Sequence, residues 1–329
     1  MNIILSPANR LFELARSGQR LPHIILAIVL TFVFVLVAQF TGGLLAVLIV
    51  FLLSVSQDGM PVLDNPDALV AFITPDTALE QAIFLILAFG PIFLLLWGWL
   101  ALFEKRPLWA IGLEKFGAWQ KYLRGLLVGL IMFVAAIGIS AVFGFITFEQ
   151  GNPQQQGVYA LAGVLLVLLG WVVQGAAEEA LTRGWLLPVI GARYTPVWGV
   201  IVSSIIFAML HSFNPNLSVI AVLNLFLFGL FAALYALREG SVWGVFGIHA
   251  VWNWAQGNLF GFEVSGQAAP GGTLFNLMEV GPDAITGGHF GPEGGLAVTV
   301  VLIASCVIVW LKGRGTSKDA MPTDKSATI

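Results

Sequence analysis

Apolar residues run unbroken for long stretches of this 329-residue chain, and polar residues gather in the breaks between them. The runs predict helices over about 24–54, 80–103, 123–148, 158–182, 196–212, 217–237, 241–260 and 295–311. Apolar runs of about 18 residues or more are long enough to cross a bilayer as helix. Composition agrees. Hydrophobic residues make up 58% and charged residues 10%, against about 25% charged in soluble domains. Mean hydropathy is +0.91. The expected fold is an all-α polytopic membrane protein with about eight transmembrane helices.

Charge placement orders these helices. Residues 1–23 hold Arg10, Arg16 and Arg20, and residues 104–124 hold Lys105, Arg106, Lys115, Lys121 and Arg124. Arg183 and Arg193 follow the fourth run, Arg238 the sixth, and the tail holds Lys312, Arg314, Lys318 and Lys325. Residues 55–79 carry Asp58, Asp64, Asp67 and Asp76 without Lys or Arg, and residues 149–157 and 261–294 also lack basic residues. All fifteen basic residues thus fall on one side of an eight-span arrangement. The positive-inside rule makes that side cytoplasmic, with both termini inside. The long apolar run after the N-terminal arginines reads as a first span rather than a cleavable signal.

The expected organisation is an N-terminal membrane region over 1–119 and a core over 120–260. An irregular Gly/Pro-rich outer loop over 261–294, a last span over 295–312 and a disordered cytoplasmic tail over 313–329 complete it. The sole cysteine, Cys306, excludes internal disulfides and thiolate metal clusters. That absence, with the lack of long basic tails, suits a bacterial inner (plasma) membrane.

Away from the run edges, which carry Glu80, Arg124 and Arg183, the carboxylate, basic and imidazole residues within the runs are Glu178, Glu179, His211 and His249. A carboxylate at bilayer depth costs roughly 3 kcal/mol by insertion scales, so an adjacent pair marks a functional site by default. Glu179 and Arg183 are four apart and share a helix face; Glu178 points about 100° away. Phe207 and His211, and His249 and Asn253, repeat the four-residue spacing. Helix rise places Glu178 about 20 Å before Gly191, His211 about 26 Å beyond Tyr194 and His249 about 14 Å beyond Gly240. Convergence near the cytoplasmic side requires the fourth helix to continue past Pro188.

A desolvated carboxylate can take a proton from water, with a histidine to orient that water. A second histidine and an asparagine amide can donate to a developing oxyanion. Arg183 can hold the other carboxylate ionised. Ser203 and Ser204 read as packing residues. Glu178, His211 and His249 are also sound ligands for a divalent metal such as zinc, although HExxH is absent.

Glu178-Glu179-Ala-Leu-Thr-Arg183 fits EExxxR, Phe207-Ala-Met-Leu-His211 fits FxxxH, and His249-Ala-Val-Trp-Asn253 fits HxxxN. In this order, over about residues 120–260, the set resembles the CPBP family of intramembrane proteases. That family includes type II CAAX prenyl endopeptidases and bacteriocin-processing or immunity proteins. The resemblance implies an Abi-type helical bundle with a conical intramembrane cavity open to the cytosol. It implies Glu178 as general base with His211 activating water. It makes Glu179 and Arg183 a supporting pair, with His249 and Asn253 on the oxyanion side. The family carries both metalloprotease and metal-free glutamate readings.

An intramembrane glutamic or metallo-endopeptidase is therefore expected. Its partners would be membrane lipids and a protein or peptide substrate, prenylated or not, and no nucleic acid. The alternatives are a non-catalytic immunity or binding protein on the same scaffold, and a proton-coupled transporter using intramembrane Glu and His.

Overall fold

A computed structural model describes residues 3–59, 70 and 72–313. Asp64 and Asp67, and the tail from residue 314 onward, lie outside the described residues. A short amphipathic helix, α1 (Arg10–Arg16), precedes the long apolar helix α2 (Ile24–Asp58). Then come α3 (Ala78–Glu104), α4 (Ala118–Val142), α5 (Gly157–Arg193), α6 (Pro196–Leu210) and α7 (Val219–Glu239). Helix α8 (Trp243–Trp254) continues into a π turn at Ala255–Phe260, and α9 (Leu296–Lys312) is last.

The protein is all-α and membrane-type. Every predicted apolar run is helical over most of its length, and α2 to α5 and α7 are long and apolar enough to cross a membrane. Helices α6 and α9 are shorter apolar rods. Large apolar side chains such as Leu36, Phe40 and Leu94 face outward from the bundle, as helices bathed in lipid require.

Local chemistry sets the helix ends. Thr77 and Glu80 form a reciprocal capping box at the start of α3. Thr195 caps α6 ahead of Pro196, and Ser218 caps α7. The third run was expected to stay helical to residue 148, but α4 stops at Val142. Gly144 adopts a positive φ of 75°, and the chain turns into strand β1 (Ile146–Phe148). This strand pairs antiparallel with β2 (Leu277–Glu279). The 261–294 loop is therefore more ordered than expected. Three-residue strands separated by over a hundred residues leave too short a period-2 signal to read.

Helix α8 packs between α4 and α5, while α3 packs on α5 and α7 on α6 and α9. Glycines permit the closest approaches. A Cβ on Gly125 would lie 2.0 Å from the Gly244 carbonyl oxygen, so α4 and α8 touch backbone to backbone. Small residues serve helix contacts in membranes because apolar burial gives no driving force there. Beside the site, a Cβ on Gly175 would lie 3.0 Å from the Ala250 nitrogen. This glycine lets α8 bring His249 against α5.

Candidate functional site

Helix α5 does not stop at Arg183. Just after Glu179 it widens into a π turn over Ala180–Leu186, then resumes as α-helix at Leu187–Arg193. Pro188 explains the widening: it has no N–H for the preceding turn, so the hydrogen-bond register slips. The helix thus reaches the basic end with Pro188 in its first resumed turn, where proline is tolerated.

The structure brings the seven motif residues together. Arg183 Nη1 donates to Glu179 Oε1 at 2.9 Å, with both side chains fully buried. The guanidinium also stacks over the Phe207 ring, 4.3 Å from its centroid, and donates to Thr182 Oγ1. His249 Nδ1 lies 2.9 Å from the same Glu179 oxygen. A carboxylate paired with arginine only accepts, so Nδ1 of His249 carries a proton. His211, just beyond the end of α6, sets its Nδ1 2.8 Å from the Phe207 carbonyl, so that nitrogen is protonated too.

Both Nε2 atoms are thereby left free, and both face Glu178. Its Oε2 is 3.8 Å from His249 Nε2 and 4.0 Å from His211 Nε2. These gaps are too long for direct hydrogen bonds, and this oxygen is buried without a partner. The other oxygen, Oε1, accepts from Gln174 Nε2 at 2.7 Å. Gln174 Oε1 in turn accepts from Asn253 Nδ2 at 2.9 Å. The carboxylate fixes the orientation of the Gln174 amide, which fixes that of Asn253. One N–H of Asn253 remains for a ligand.

Two functional candidates escaped sequence reading. Gln174 lies one turn before Glu178, and that spacing could have revealed it. Glu293, in the 261–294 loop, lines the same cavity and accepts from Ser265 Oγ at 2.6 Å. Burial pushes its carboxyl above the usual range. Only the folded loop brings it near the site. Ser203 and Ser204 both bond the Val200 carbonyl within α6, as packing serines do.

The metal expectation gains no support from this geometry. Zinc held at about 2.0–2.1 Å by tetrahedral donors draws them to about 3.4 Å from one another. The Glu178 oxygen stands farther from both imidazoles. Among the described residues, no group of three His, Cys, Asp or Glu side chains has metal-holding spacing.

The site lies at the inner end of a cavity of about 630 Å³. Phe84, Phe89, Leu225 and Phe228 form part of its apolar wall, and Thr74, Gln267 and Ala268 stand at its exposed rim. Its chemistry suits an apolar chain whose polar bond is carried to a carboxylate–imidazole cluster.

Fold and site together define an all-helical membrane protein with a buried acid–histidine cluster in an apolar cavity. Residues 160–255, which span α5 to α8 and hold all three motifs, match the family model described as type II CAAX prenyl endopeptidase Rce1-like. That match supports the CPBP/CAAX protease family, as the motifs implied, and such a family implies a protease. No curated protein and no solved structure matches the chain.

Proposed function

We propose that the protein is an intramembrane endopeptidase that cleaves a peptide bond with water activated by Glu178. The observation that carries this reading is the unpartnered Glu178 Oε2 facing two free imidazole nitrogens at 3.8 and 4.0 Å. A water between them donates one proton to Glu178 and the other to His211 Nε2. Its oxygen attacks the scissile carbonyl as Glu178 takes the proton. The free N–H of Asn253, and His249 Nε2 in its protonated form, donate to the tetrahedral oxyanion. Glu179 holds His249 from behind and offsets that charge, and Arg183 holds Glu179. Glu178 then passes its proton to the leaving amine, and the products are a carboxylate and an amine. Gln174 fixes the base in place.

The same reading takes the helices as eight crossings with both termini cytoplasmic, in a plasma membrane of bacterial inner-membrane type. The reaction class is CAAX-type or bacteriocin-type processing of a protein or peptide. The test compares membrane peptides from cells carrying the wild type or Glu178→Ala. The variant inserts normally, and a defined set of cleavage products disappears. Unchanged products at unchanged rate contradict the proposal.

A further inference from the structure

We propose that Glu293 sets the specificity of the cavity. It receives a cationic group of the substrate, a Lys or Arg side chain or a free amine, close to the bond that is cut. This rests on the peptidase reading above and deepens it with a residue that lies outside the three motifs and outside residues 160–255.

Buried carboxylates in this protein come with partners. Glu104 pairs with Arg106 at 2.7 Å and Glu179 with Arg183 at 2.9 Å, and all four side chains are fully buried. Glu239 is buried and paired with Arg124, and Glu80 is engaged in the cap of α3. Glu293 is only 9% exposed, and it differs. Among the described residues it forms no ion pair, and Ser265 Oγ is the one donor to its carboxylate. A hydroxyl does not offset a buried charge, so such a group is paired or drifts toward its neutral form. Burial does raise this carboxyl.

The acid is nonetheless held firmly. Asn224 of α7 donates through Nδ2 to the carbonyls of Glu293 and Gly295 at 2.8 and 2.9 Å. Its Oδ1 accepts from Thr299 Oγ1 of α9 at 2.7 Å, and both side chains are buried. Ser265 stands at a positive φ of 50°, which is unfavourable for a residue with a Cβ. Its carbonyl accepts from Asn214 at 3.0 Å, in the turn just after His211. Both amide hydrogens of a buried asparagine and one strained serine thus fix the place of a single acid.

That place faces the reaction. Glu293 lines the same cavity as Glu178, His211, His249 and Asn253. The charges of both imidazoles act on its carboxyl, so the acid is within electrostatic reach of the cluster. The described lining holds no Lys or Arg. An apolar peptide segment that carries one positive charge satisfies both halves of this surface. Its chain fills the apolar wall, and its cation makes a charge-assisted hydrogen bond to Glu293. An anionic group at the same point meets a carboxylate and is rejected.

The test measures binding apart from cleavage. Purified full-length Glu178→Gln protein in lipid nanodiscs is titrated with dye-labelled Leu/Ala peptides. A single Lys steps along the peptide, each version beside its norleucine counterpart, with acetylated and free N-termini. Fluorescence anisotropy reads the affinity. At one register the Lys peptide binds roughly tenfold or more tighter than norleucine, and Glu293→Gln in the same background brings the two within about twofold. Glutamine keeps the acceptor for Ser265, and thermal unfolding checks that the variant folds. Glu293→Asp, which draws the acid back, lowers the preference without abolishing it. A preference that follows the free N-terminus makes the terminal amine the cation and keeps Glu293 as its partner. No preference at any register, or one that survives Glu293→Gln, overturns the proposal. Equal cleavage of Lys and norleucine peptides by the wild type overturns it too and spares the peptidase reading. A Lys preference in binding with no peptide cleaved overturns the peptidase reading and leaves Glu293 as a cation-binding residue.

Discussion

Replacing Arg183 by Met should separate support from chemistry at this site. The guanidinium is fully buried, donates to Glu179 at 2.9 Å and stacks on Phe207. Methionine leaves the Glu179 carboxylate buried with only His249 as partner. Breaking a buried pair from one side costs about 3–5 kcal/mol. With about 2.1 cal/mol/K of unfolding entropy per residue, a 329-residue chain loses about 4–7 °C in Tm. The double variant Glu179→Gln/Arg183→Met removes both charges and should regain most of that loss, because exchanging both partners for neutral groups is often close to neutral. Its amide oxygen still accepts from His249, but without charge. A neutral hydrogen bond is roughly half as strong as a charge-assisted one, about 1–1.5 kcal/mol less, so cleavage stays about tenfold below wild type. Thermal unfolding in detergent, followed by tryptophan fluorescence, reads the first effect and peptide cleavage the second. A single variant as stable as wild type, or a double no more stable than the single, refutes the reasoning.

Two further outcomes follow from other contacts. Gln174→Leu removes the donor to the Glu178 carboxylate. Such a bond is worth about 1.5–3 kcal/mol, so kcat should fall about 10- to 150-fold while the protein still folds; an unchanged kcat removes Gln174 from the account. Burial pushes Glu279, in the β1–β2 pair, up to about 8. The folded state then holds a proton that the unfolded chain releases above about 4.5, so stability falls as pH rises from about 4.5 to 8. Glu279→Gln should flatten Tm across that window, and a slope equal to wild type counts against it.

The site was legible where its partners lie one turn apart. Glu179 with Arg183, Phe207 with His211 and His249 with Asn253 each declare a shared helix face in four residues. That the two glutamates take different partners, Gln174 for Glu178 and Arg183 for Glu179, followed from helix rotation. The widened turn after Glu179 was not legible, because Pro188 announces a break without saying that the register will slip rather than end. Gln174 passed unnoticed because an amide inside an apolar run carries no charge penalty to flag it. Glu293 and the β1–β2 pair depend on how a 34-residue loop folds back, and local spacing does not encode that.

The central claim is that Glu178 is the base that activates water. It is tested most directly by measuring cleavage of one fluorogenic peptide, chosen from products that vanish in Glu178→Ala cells, by purified wild type and Glu178→Gln. Glutamine keeps the size of the side chain and an acceptor for Gln174 but cannot take a proton. General-base catalysis contributes about 10²- to 10⁴-fold. The account predicts a loss in kcat of at least a hundredfold with KM and Tm near wild type. A Glu178→Gln enzyme within a few-fold of wild-type kcat would contradict it.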